Sequence, residues 1–522
     1  MANEVQPSVD PGMIHPDERD YGLRLNSDDW GTGLNSNLGW RVTPTPTGAT
    51  KYLTRTISVD EKGKTSLVRR DDHDSPDQGN CLTEAIVRFP AAPIYQIHRE
   101  QQYTYTIEPR IYYQTMRLLR RPWSDDPRRA KRIYLFHHGL NEIDRLGFYY
   151  QLANLILDED SVCIIRALPA HLMRSPFPGE YAEKPLDRYL ADAGDLLRQF
   201  LRFMLETQWF LSAVVSLPDY RVVSGMNLLA SGKERSKSRQ DPGVLANAIY
   251  NAWQSAYSAN ALGPCDFVKA DHIRTSVEAL RDLTGWEPTA NNQDGPPPKN
   301  DLPPPALHSI GYSMGGYLAQ SVFFSWPFVV ASCTTIGSGG PLREVALTEF
   351  AHPEEWQSVM YALRFEIENA MLLNRLVRSG NDDWGYFIAG INEDYYAFLD
   401  RIFNDVFLQD FRGAYRQRVS EYAHRLLFVL GGMDPVISTR SVIESSPPGG
   451  INMIQIANLS HFLWRDQGEW RRFWLPRVAA VVGAFSHRTE EILAESLNEN
   501  WDLLKESEPD VPPEDDNGVS PG

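Results

Sequence analysis

Short apolar runs separated by longer amphipathic stretches dominate the chain after residue 130. Six of these runs have the length of buried strands: Ile133 to Phe136, Val162 to Ala167, Leu307 to Ile310, Val329 to Ile336, Leu426 to Leu430 and Met453 to Ile456. Stretches with helical spacing of apolar residues join them. Apolar strands that alternate with helices indicate a mostly parallel sheet with helices on both faces. The predicted fold class is therefore α/β.

The segment before these runs has a different pattern. Residues 1–100 are polar and rich in turn-forming residues, with isolated strand-like pieces such as Lys51 to Val59. We expect a loosely structured N-terminal extension that packs on the main body. The period-two alternation from Tyr103 to Ile107, followed by Ile111 to Leu119, predicts an antiparallel strand pair at the start of the core.

A first long insertion separates the second apolar run from the third. It covers about residues 181–305 and contains two helical stretches, Leu186 to Phe210 and Asp271 to Thr284. It ends in a connector that includes Pro303, Pro304 and Pro305, which is typical of a stiff, exposed loop.

A second insertion, residues 341–422, is helical by periodicity and dense in aromatic side chains. Ordinary helix packing is one explanation of those side chains. The position of the segment in the topology, over the carboxyl ends of the strands, favours a cap or lid. The core then comprises residues 101–340 and 423–505, and the acidic segment 506–522 is expected to be disordered.

The candidate chemistry begins at Ser313, in the run Gly311-Tyr312-Ser313-Met314-Gly315-Gly316. A strand, Ala306 to Ile310, precedes this run, and a helical pattern, Gly315 to Phe324, follows it. Glycines two positions before and after the serine let a helix pack close to a strand across a sharp turn. The pattern predicts a nucleophile elbow; the alternative is a glycine-rich turn with a surface serine.

A serine nucleophile needs a base, and the base needs an acid that orients it. With an elbow, the acid comes next along the chain and the histidine last. Asp434 lies in the turn that leaves the predicted strand Leu426 to Leu430, and His461 follows the strand Met453 to Ile456. Both turns are expected at the carboxyl edge of the sheet, beside Ser313.

Other acids and histidines have simpler explanations. Asp405 and Asp410 lie within the second insertion on a helical pattern, where a solvent-facing carboxylate is expected. His424 precedes the strand of Asp434, which puts it at the opposite end of the sheet. His487 lies deep in the C-terminal helical segment, Gln467 to Lys505, where a surface histidine is the ordinary explanation.

The negative oxygen of a tetrahedral intermediate needs backbone donors. The N–H of Met314 is one candidate. The other is the N–H of Leu140, because a predicted strand runs into His137-His138-Gly139 and the glycine lets the chain turn towards the site. The two histidines also invite a metal-binding interpretation, but adjacent residues on a strand point to opposite sides. We expect no metal and no cofactor.

Composition narrows the possible partners and compartment. The net charge of −17 argues against nucleic acid, since phosphate neutralisation needs a surplus of lysine and arginine. Four cysteines in 522 residues do not make a disulfide framework. The N-terminus shows no signal peptide, and the longest apolar stretch, Trp474 to Phe485, is too short to span a bilayer. We expect a soluble, cytoplasmic protein.

These motifs together resemble the α/β-hydrolase family, over roughly Tyr103 to Lys505 without the first insertion. His138-Gly139-Leu140-Asn141-Glu142 and Gly311 to Gly316 are similar to the monoacylglycerol-lipase and lysophospholipase branch, and Gly432 to Val436 is typical of the family. The resemblance implies a Ser313–Asp434–His461 triad and a cap built from the second insertion. The chain departs from many such esterases after the second apolar run, where Arg166 to His171 replaces their glycine-rich turn.

The predicted function is hydrolysis of a carboxylic ester through an acyl-enzyme, as in carboxylesterases and lipases, on a small-molecule substrate with an apolar acyl part. An amidase, peptidase or thioesterase would use the same residues. Epoxide and haloalkane hydrolases are disfavoured, because their chemistry requires a carboxylate at the position where this chain has Ser313. A protein of a different class, a catalytically silent binding scaffold, would retain the fold without the activity.

Overall fold

The computed structural model describes residues 28, 30–31, 38–61, 63–68, 81–92, 96–100, 103–107, 112–122, 130–139, 146–166, 193–215, 241–259, 268–285, 305–327, 329–340, 414–437, 439–461 and 469–506. They contain the strands β1 (Arg41–Pro44), β2 (Thr50–Val59), β3 (Thr65–Leu67), β4 (Cys81–Pro90), β5 (Gln96–Glu100), β6 (Tyr103–Ile107), β7 (Tyr113–Arg120), β8 (Arg132–His137), β9 (Ser161–Arg166), β10 (Ala306–Tyr312), β11 (Val330–Ile336), β12 (Leu426–Gly431) and β13 (Asn452–Ile456). The helices are α1 (Gly147–Ile156), α2 (Ala193–Val214), α3 (Pro242–Ala259), α4 (Ala270–Thr284), α5 (Met314–Ser325), α6 (Ala414–Tyr422), α7 (Thr439–Glu444) and α8 (Glu469–Glu506), with a short 3₁₀ turn at Ala423–Arg425.

An eleven-stranded mixed sheet forms the centre of the described structure. Its order is β1-β2-β4-β7-β9-β8-β10-β11-β12-β13, with β3 paired to β2. The six strands from β9 to β13 in this order are parallel, and the remaining strands join them antiparallel through β7. The prediction of an α/β fold with a mostly parallel sheet is confirmed. The predicted cap, residues 341–422, lies outside the described residues except for α6.

The strand order contains a reversal that positions the site. From β8 the chain moves outwards to β9 on one side, and then returns to β10 on the other side of β8. Connections from the carboxyl ends of β8 and β10 therefore leave in opposite directions and open a crevice between them. Ligands of open α/β sheets bind at such a switch point.

Both faces of the sheet are covered by helices, as the alternation of buried side chains requires. On β8, Ile133 and Leu135 face the core shared with α2 to α5, whereas Tyr134 and Phe136 face the core shared with α1 and α8. Side chains two residues apart on a strand lie on the same face, so a strand with a continuous apolar run has to be covered on both faces. Helix α4 confirms the predicted helical stretch Asp271 to Thr284, and α2 confirms the stretch Leu186 to Phe210 from residue 193 onwards; residues 186–192 lie outside the described residues.

The N-terminal segment differs from its expected form. Instead of packing loosely on the body, β1, β2 and β4 extend the central sheet, and β4 pairs directly with β7. The buried carboxylate of Glu84 on β4 joins Arg55 on β2 and Arg117 on β7, at 2.7 and 2.8 Å. The strand-like pattern from Lys51 to Val59 is confirmed by β2, but its place in the central sheet was not predicted, because charged side chains such as that of Glu84 break the apolar pattern of β4.

The strand pair expected at the start of the core is wrong. β6 pairs with β5 in a separate two-stranded sheet, and β7 lies between β4 and β9. All eight residues of β7 are buried, including Arg117 and Arg120. Neighbouring strands in sequence are frequent partners, but an interior strand such as β7 has a partner on each side, and here these are β4 and β9. Among the helices in the described ranges, none has the length and apolar character needed to cross a membrane.

Candidate active site

Ser313 lies in a strained turn between β10 and α5. Its backbone has φ 52° and ψ −123°, and it is the single non-glycine residue with positive φ in the part of the chain that the structure describes. Such a conformation costs about 1–3 kcal/mol and persists where the surrounding structure enforces it. Here the Ser313 N–H donates to the carbonyl of Ile336 on β11, at 2.9 Å. Ser313 and Met314 are partly exposed, while Tyr312 and Gly315 on either side are buried.

The glycines of the elbow are required by close backbone contacts. A Cβ on Gly311 would lie 2.0 Å from the carbonyl oxygen of Gly315, and a Cβ on Gly315 would lie 2.0 Å from that of His137. A Cβ on Gly316 would lie 2.3 Å from the Cβ of Ser338. Helix α5 therefore packs against β10, β8 and the end of β11 only because these three positions lack side chains.

Ser313, His461 and Asp434 form a continuous hydrogen-bonded chain. Ser313 Oγ lies 2.9 Å from Nε2 of His461, and Nδ1 of the same imidazole lies 2.8 Å from Oδ2 of Asp434. An ionised carboxylate can only accept, so a neutral imidazole in this arrangement carries its proton on Nδ1 and accepts the hydrogen bond of the serine hydroxyl at Nε2. The side chains of His461 and Asp434 are 5% and 1% exposed, so water hardly competes for these bonds.

The turns after β12 and β13 hold the acid and the base next to each other. Oδ1 of Asp434 accepts the N–H groups of Val436 and Ile437, both at 2.9 Å, which leaves Oδ2 for the imidazole. The N–H of Met433 donates to the carbonyl of Leu459 at 3.1 Å, which joins the acid turn to the loop of His461.

Glycines again permit this close approach. A Cβ on Gly431 would lie 2.3 Å from the carbonyl oxygen of Leu459, and one on Gly432 would lie 2.5 Å from that of Ala457. The run Gly431-Gly432 before Asp434 thus has the same physical basis as the glycines of the elbow: two backbones in direct contact.

The alternative residues lie elsewhere or outside the description. His424 is in the 3₁₀ turn that precedes β12, at the amino end of the sheet, and burial lowers its pKa, helped by Arg425 and Arg488. His487 is exposed on α8. Asp405 and Asp410 lie outside the described residues. Among the candidate acids and histidines that lie in the described residues, only Asp434 and His461 belong to the hydrogen-bonded chain of Ser313.

Of the two predicted oxyanion donors, Met314 lies in the described residues and Leu140 does not. Met314 is the first residue of α5, where backbone N–H groups have no partner within the helix and the helix dipole favours negative charge. Leu140 lies outside the described residues. Its neighbour Gly139 is described, and a Cβ there would lie 3.0 Å from the ring of Tyr312 and 3.3 Å from the Cβ of Ser313. The chain after β8 therefore passes directly against the elbow.

The adjacent histidines after β8 have separate hydrogen-bond partners. Nε2 of His137 lies 2.9 Å from Oγ of Ser309 on β10, and Nδ1 of His138 lies 2.9 Å from the carbonyl oxygen of Gly139. Burial, together with the charges of Arg166 and His138, holds the pKa of His137 well below its ordinary value. In the described ranges no group of three or more His, Cys, Asp or Glu side chains is arranged to bind a metal ion.

Two tyrosines behind the site were not singled out from the sequence. The hydroxyl of Tyr149 on α1 accepts the N–H of Gly139 at 3.1 Å, and the hydroxyl of Tyr312 donates to the carbonyl of His461 at 2.6 Å. Nothing in the residue pattern indicates either contact, because each joins two different elements and depends on how they pack.

No protein-family model matches the chain, and no curated protein has a sequence that matches it. Similar solved structures include the esterase domain of a Rhodothermus marinus protein, with 12% identity over 77% of this chain and 98% of that one and a TM-score of 0.31. An S-formylglutathione hydrolase from Agrobacterium tumefaciens has 12% identity over 78% of this chain and 97% of that one, with a TM-score of 0.29. A haloalkane dehalogenase loop variant from Bradyrhizobium elkanii has 12% identity over 77% and 99%, again with a TM-score of 0.29. Likenesses at this level carry no argument about activity, which has to be argued from the geometry alone.

Proposed function

We propose that the protein is a serine hydrolase that cleaves a carboxylic ester through an acyl-enzyme. The observation that carries the proposal is the hydrogen-bonded chain Ser313–His461–Asp434 at a partly exposed, strained serine. A surface serine in a glycine-rich turn requires neither a buried imidazole nor a buried carboxylate, and burying both groups is costly unless they are paired.

In the proposed reaction, Ser313 Oγ attacks the ester carbonyl while Nε2 of His461 takes the hydroxyl proton. The resulting imidazolium is stabilised by Asp434 at 2.8 Å. His461 then gives the proton to the departing alcohol, and the acyl group stays on Ser313. A water molecule repeats the sequence: His461 takes its proton, the hydroxide oxygen attacks the acyl carbon, and the acid leaves as Ser313 regains its proton.

The negative oxygen of both tetrahedral intermediates would be held by the N–H of Met314 and, as predicted from the sequence, the N–H of Leu140. The start of α5 supports the first assignment, because the N–H of the first helical residue has no partner within the helix and is aimed along the helix axis. The path of Gly139 against the elbow supports the second, since Leu140 is the next residue in the sequence.

The test is covalent labelling with a fluorophosphonate, combined with turnover of p-nitrophenyl esters of graded chain length. We expect wild-type protein to be labelled and to hydrolyse these esters, and Ser313→Ala to do neither. Ser321→Ala is the matched control: this buried serine lies on α5, the helix that follows Ser313, and donates to the carbonyl of Tyr317 at 2.8 Å. It should react at the wild-type rate.

The design separates the proposal from its rivals. A wild-type protein that is not labelled would support a silent scaffold, because only an activated serine reacts with the probe. Labelling of Ser313→Ala at the wild-type rate would place the nucleophile elsewhere. If the protein hydrolysed amides but not esters, and Ser313→Ala abolished this activity, Ser313 would still be the nucleophile but the substrate would be an amide.

A further inference from the structure

Tyr312 lies between the elements that hold the proposed catalytic groups. It is the last residue of β10 and is covalently bonded to Ser313, and its side chain is 1% exposed. Its hydroxyl donates to the backbone carbonyl of His461 at 2.6 Å. Its ring also lies nearly parallel to the imidazole of His461, with centroids 5.7 Å apart and an interplanar angle of 25°.

The ring of Tyr312 is itself fixed by its surroundings. Phe148 on α1 packs against it with centroids 5.8 Å apart. Gly139 approaches so closely that a Cβ there would lie 3.0 Å from the ring. The hydroxyl of Tyr312 therefore occupies a defined position relative to Ser313, the next residue in the chain.

The hydrogen bond from Tyr312 fixes the main chain at His461. Asp434 orients the imidazole from Nδ1, and the acid turn holds the preceding loop through Leu459. A hydrogen bond to the carbonyl of His461 adds a link from the strand of the nucleophile to the residue of the base. The distance between Nε2 of His461 and Oγ of Ser313 is then fixed by the rigid side chain of Tyr312, and not only by the long stretch of backbone between the two residues.

We propose that Tyr312 is a positioning residue for the reaction. This role rests on the proposed function. Through its hydroxyl and its ring, Tyr312 keeps His461 in line with Ser313. The hydroxyl fixes the backbone. The ring presents its negative π face to the imidazole, and this favours the positively charged form that arises when Nε2 takes the proton of the serine. Since the side chain is buried, it acts through His461 and does not contact substrate.

The first test is Tyr312→Phe, which removes the hydroxyl and keeps the ring. Misplacing a catalytic group by about 1 Å costs roughly 10²-fold in rate, so we expect kcat to fall between about ten- and a hundredfold. KM should stay within about twofold, because the loss affects the transition state and not substrate binding. The rate constant of fluorophosphonate labelling should fall by the same factor as kcat. Tyr312→Leu, which also removes the ring, should lower both rates further.

The matched control is Tyr317→Phe. Tyr317 is 2% exposed, and its hydroxyl also donates to a backbone carbonyl, that of Gly339, at 3.2 Å. Both substitutions therefore delete one buried hydroxyl-to-carbonyl hydrogen bond near the elbow and should lower the melting temperature by a similar amount. Only Tyr312→Phe should slow the reaction.

Each outcome decides the inference. A kcat and labelling rate of Tyr312→Phe equal to wild type, or reduced no more than those of Tyr317→Phe, would overturn the positioning role while leaving the serine hydrolase intact. A rise in KM with unchanged kcat would also overturn it, since this is the signature of a binding contact. Absence of labelling in wild-type protein would overturn the proposed function and the role of Tyr312 together.

Discussion

Replacing Asp434 by asparagine tests the orientation of His461 with almost no change in shape. In the protein, Oδ1 of Asp434 accepts two backbone N–H groups and Oδ2 accepts the proton of His461 Nδ1. An amide has one oxygen and one NH₂ group. If its oxygen keeps both backbone bonds at 2.9 Å, the NH₂ group faces Nδ1 and forces this nitrogen to accept. The proton of the neutral imidazole then moves to Nε2, which can no longer accept from Ser313.

The opposite orientation of the amide is worse for folding. It would point the NH₂ group at the N–H groups of Val436 and Ile437, so that two buried donors lose their acceptor. Each such loss costs about 1–3 kcal/mol. The first orientation therefore dominates, and its penalty falls on catalysis. The wrong tautomer lowers kcat by about 10⁴-fold, which corresponds to about 5.4 kcal/mol of transition-state stabilisation.

The measurement is kcat on the best p-nitrophenyl ester, with the melting temperature as a check on folding. We expect the loss in kcat at nearly unchanged thermal stability. Asp160→Asn is the control, because Asp160 pairs with Lys131 at the amino end of the sheet and is 31% exposed. A surface pair of this kind contributes little, so activity should change less than about twofold. If Asp434→Asn retained a tenth or more of the wild-type kcat, the orienting role of Asp434 would be refuted.

The parallel part of the fold could be predicted because its strands are apolar on both faces. Runs such as Leu426 to Leu430 have no other stable location than the centre of a covered sheet. In the antiparallel part, β7 was predicted as a strand but with the wrong partner, and β4 was not predicted because its buried residues include Glu84 and Arg88. Glu84 pairs with Arg55 and Arg117 on neighbouring strands and with Tyr150 on α1, and a pairing of this kind has no signature in a single strand.

The proposed site was predicted where it depends on local backbone geometry. Gly311 is required by a contact within one strand–turn–helix unit and Gly315 by the contact of that unit with β8, and such units leave a short motif in the sequence. Asp434 and His461 could be chosen because chain order and strand ends determine where they lie. Tyr312 could not be chosen as a partner of His461, since the hydrogen bond spans 149 residues and depends on the relative position of two loops.

Two further substitutions test the backbone contacts of the elbow and the buried charges of the N-terminal strands. Gly315→Ala places a methyl group 2.0 Å from the carbonyl oxygen of His137, so we expect a loss of at least about 3 kcal/mol in unfolding free energy, measured by urea denaturation; a loss below about 1 kcal/mol would contradict the contact. Glu84→Gln leaves Arg55 and Arg117 without a buried counter-charge, and breaking such a group costs about 3–5 kcal/mol at pH 7. Burial alone would raise the pKa of Glu84, but the two arginines and the hydroxyl of Tyr150 hold it below its ordinary value of 4.5. A carboxylate with a lowered pKa in the folded state stabilises the protein above the unfolded pKa, and this stabilisation is lost as the pH falls through the folded pKa. The stability advantage of wild type over Glu84→Gln should therefore be constant above about pH 5.5 and should shrink from about pH 4.5 downwards; an advantage that stays unchanged down to pH 2.5 would show that the charge of Glu84 does not stabilise the sheet.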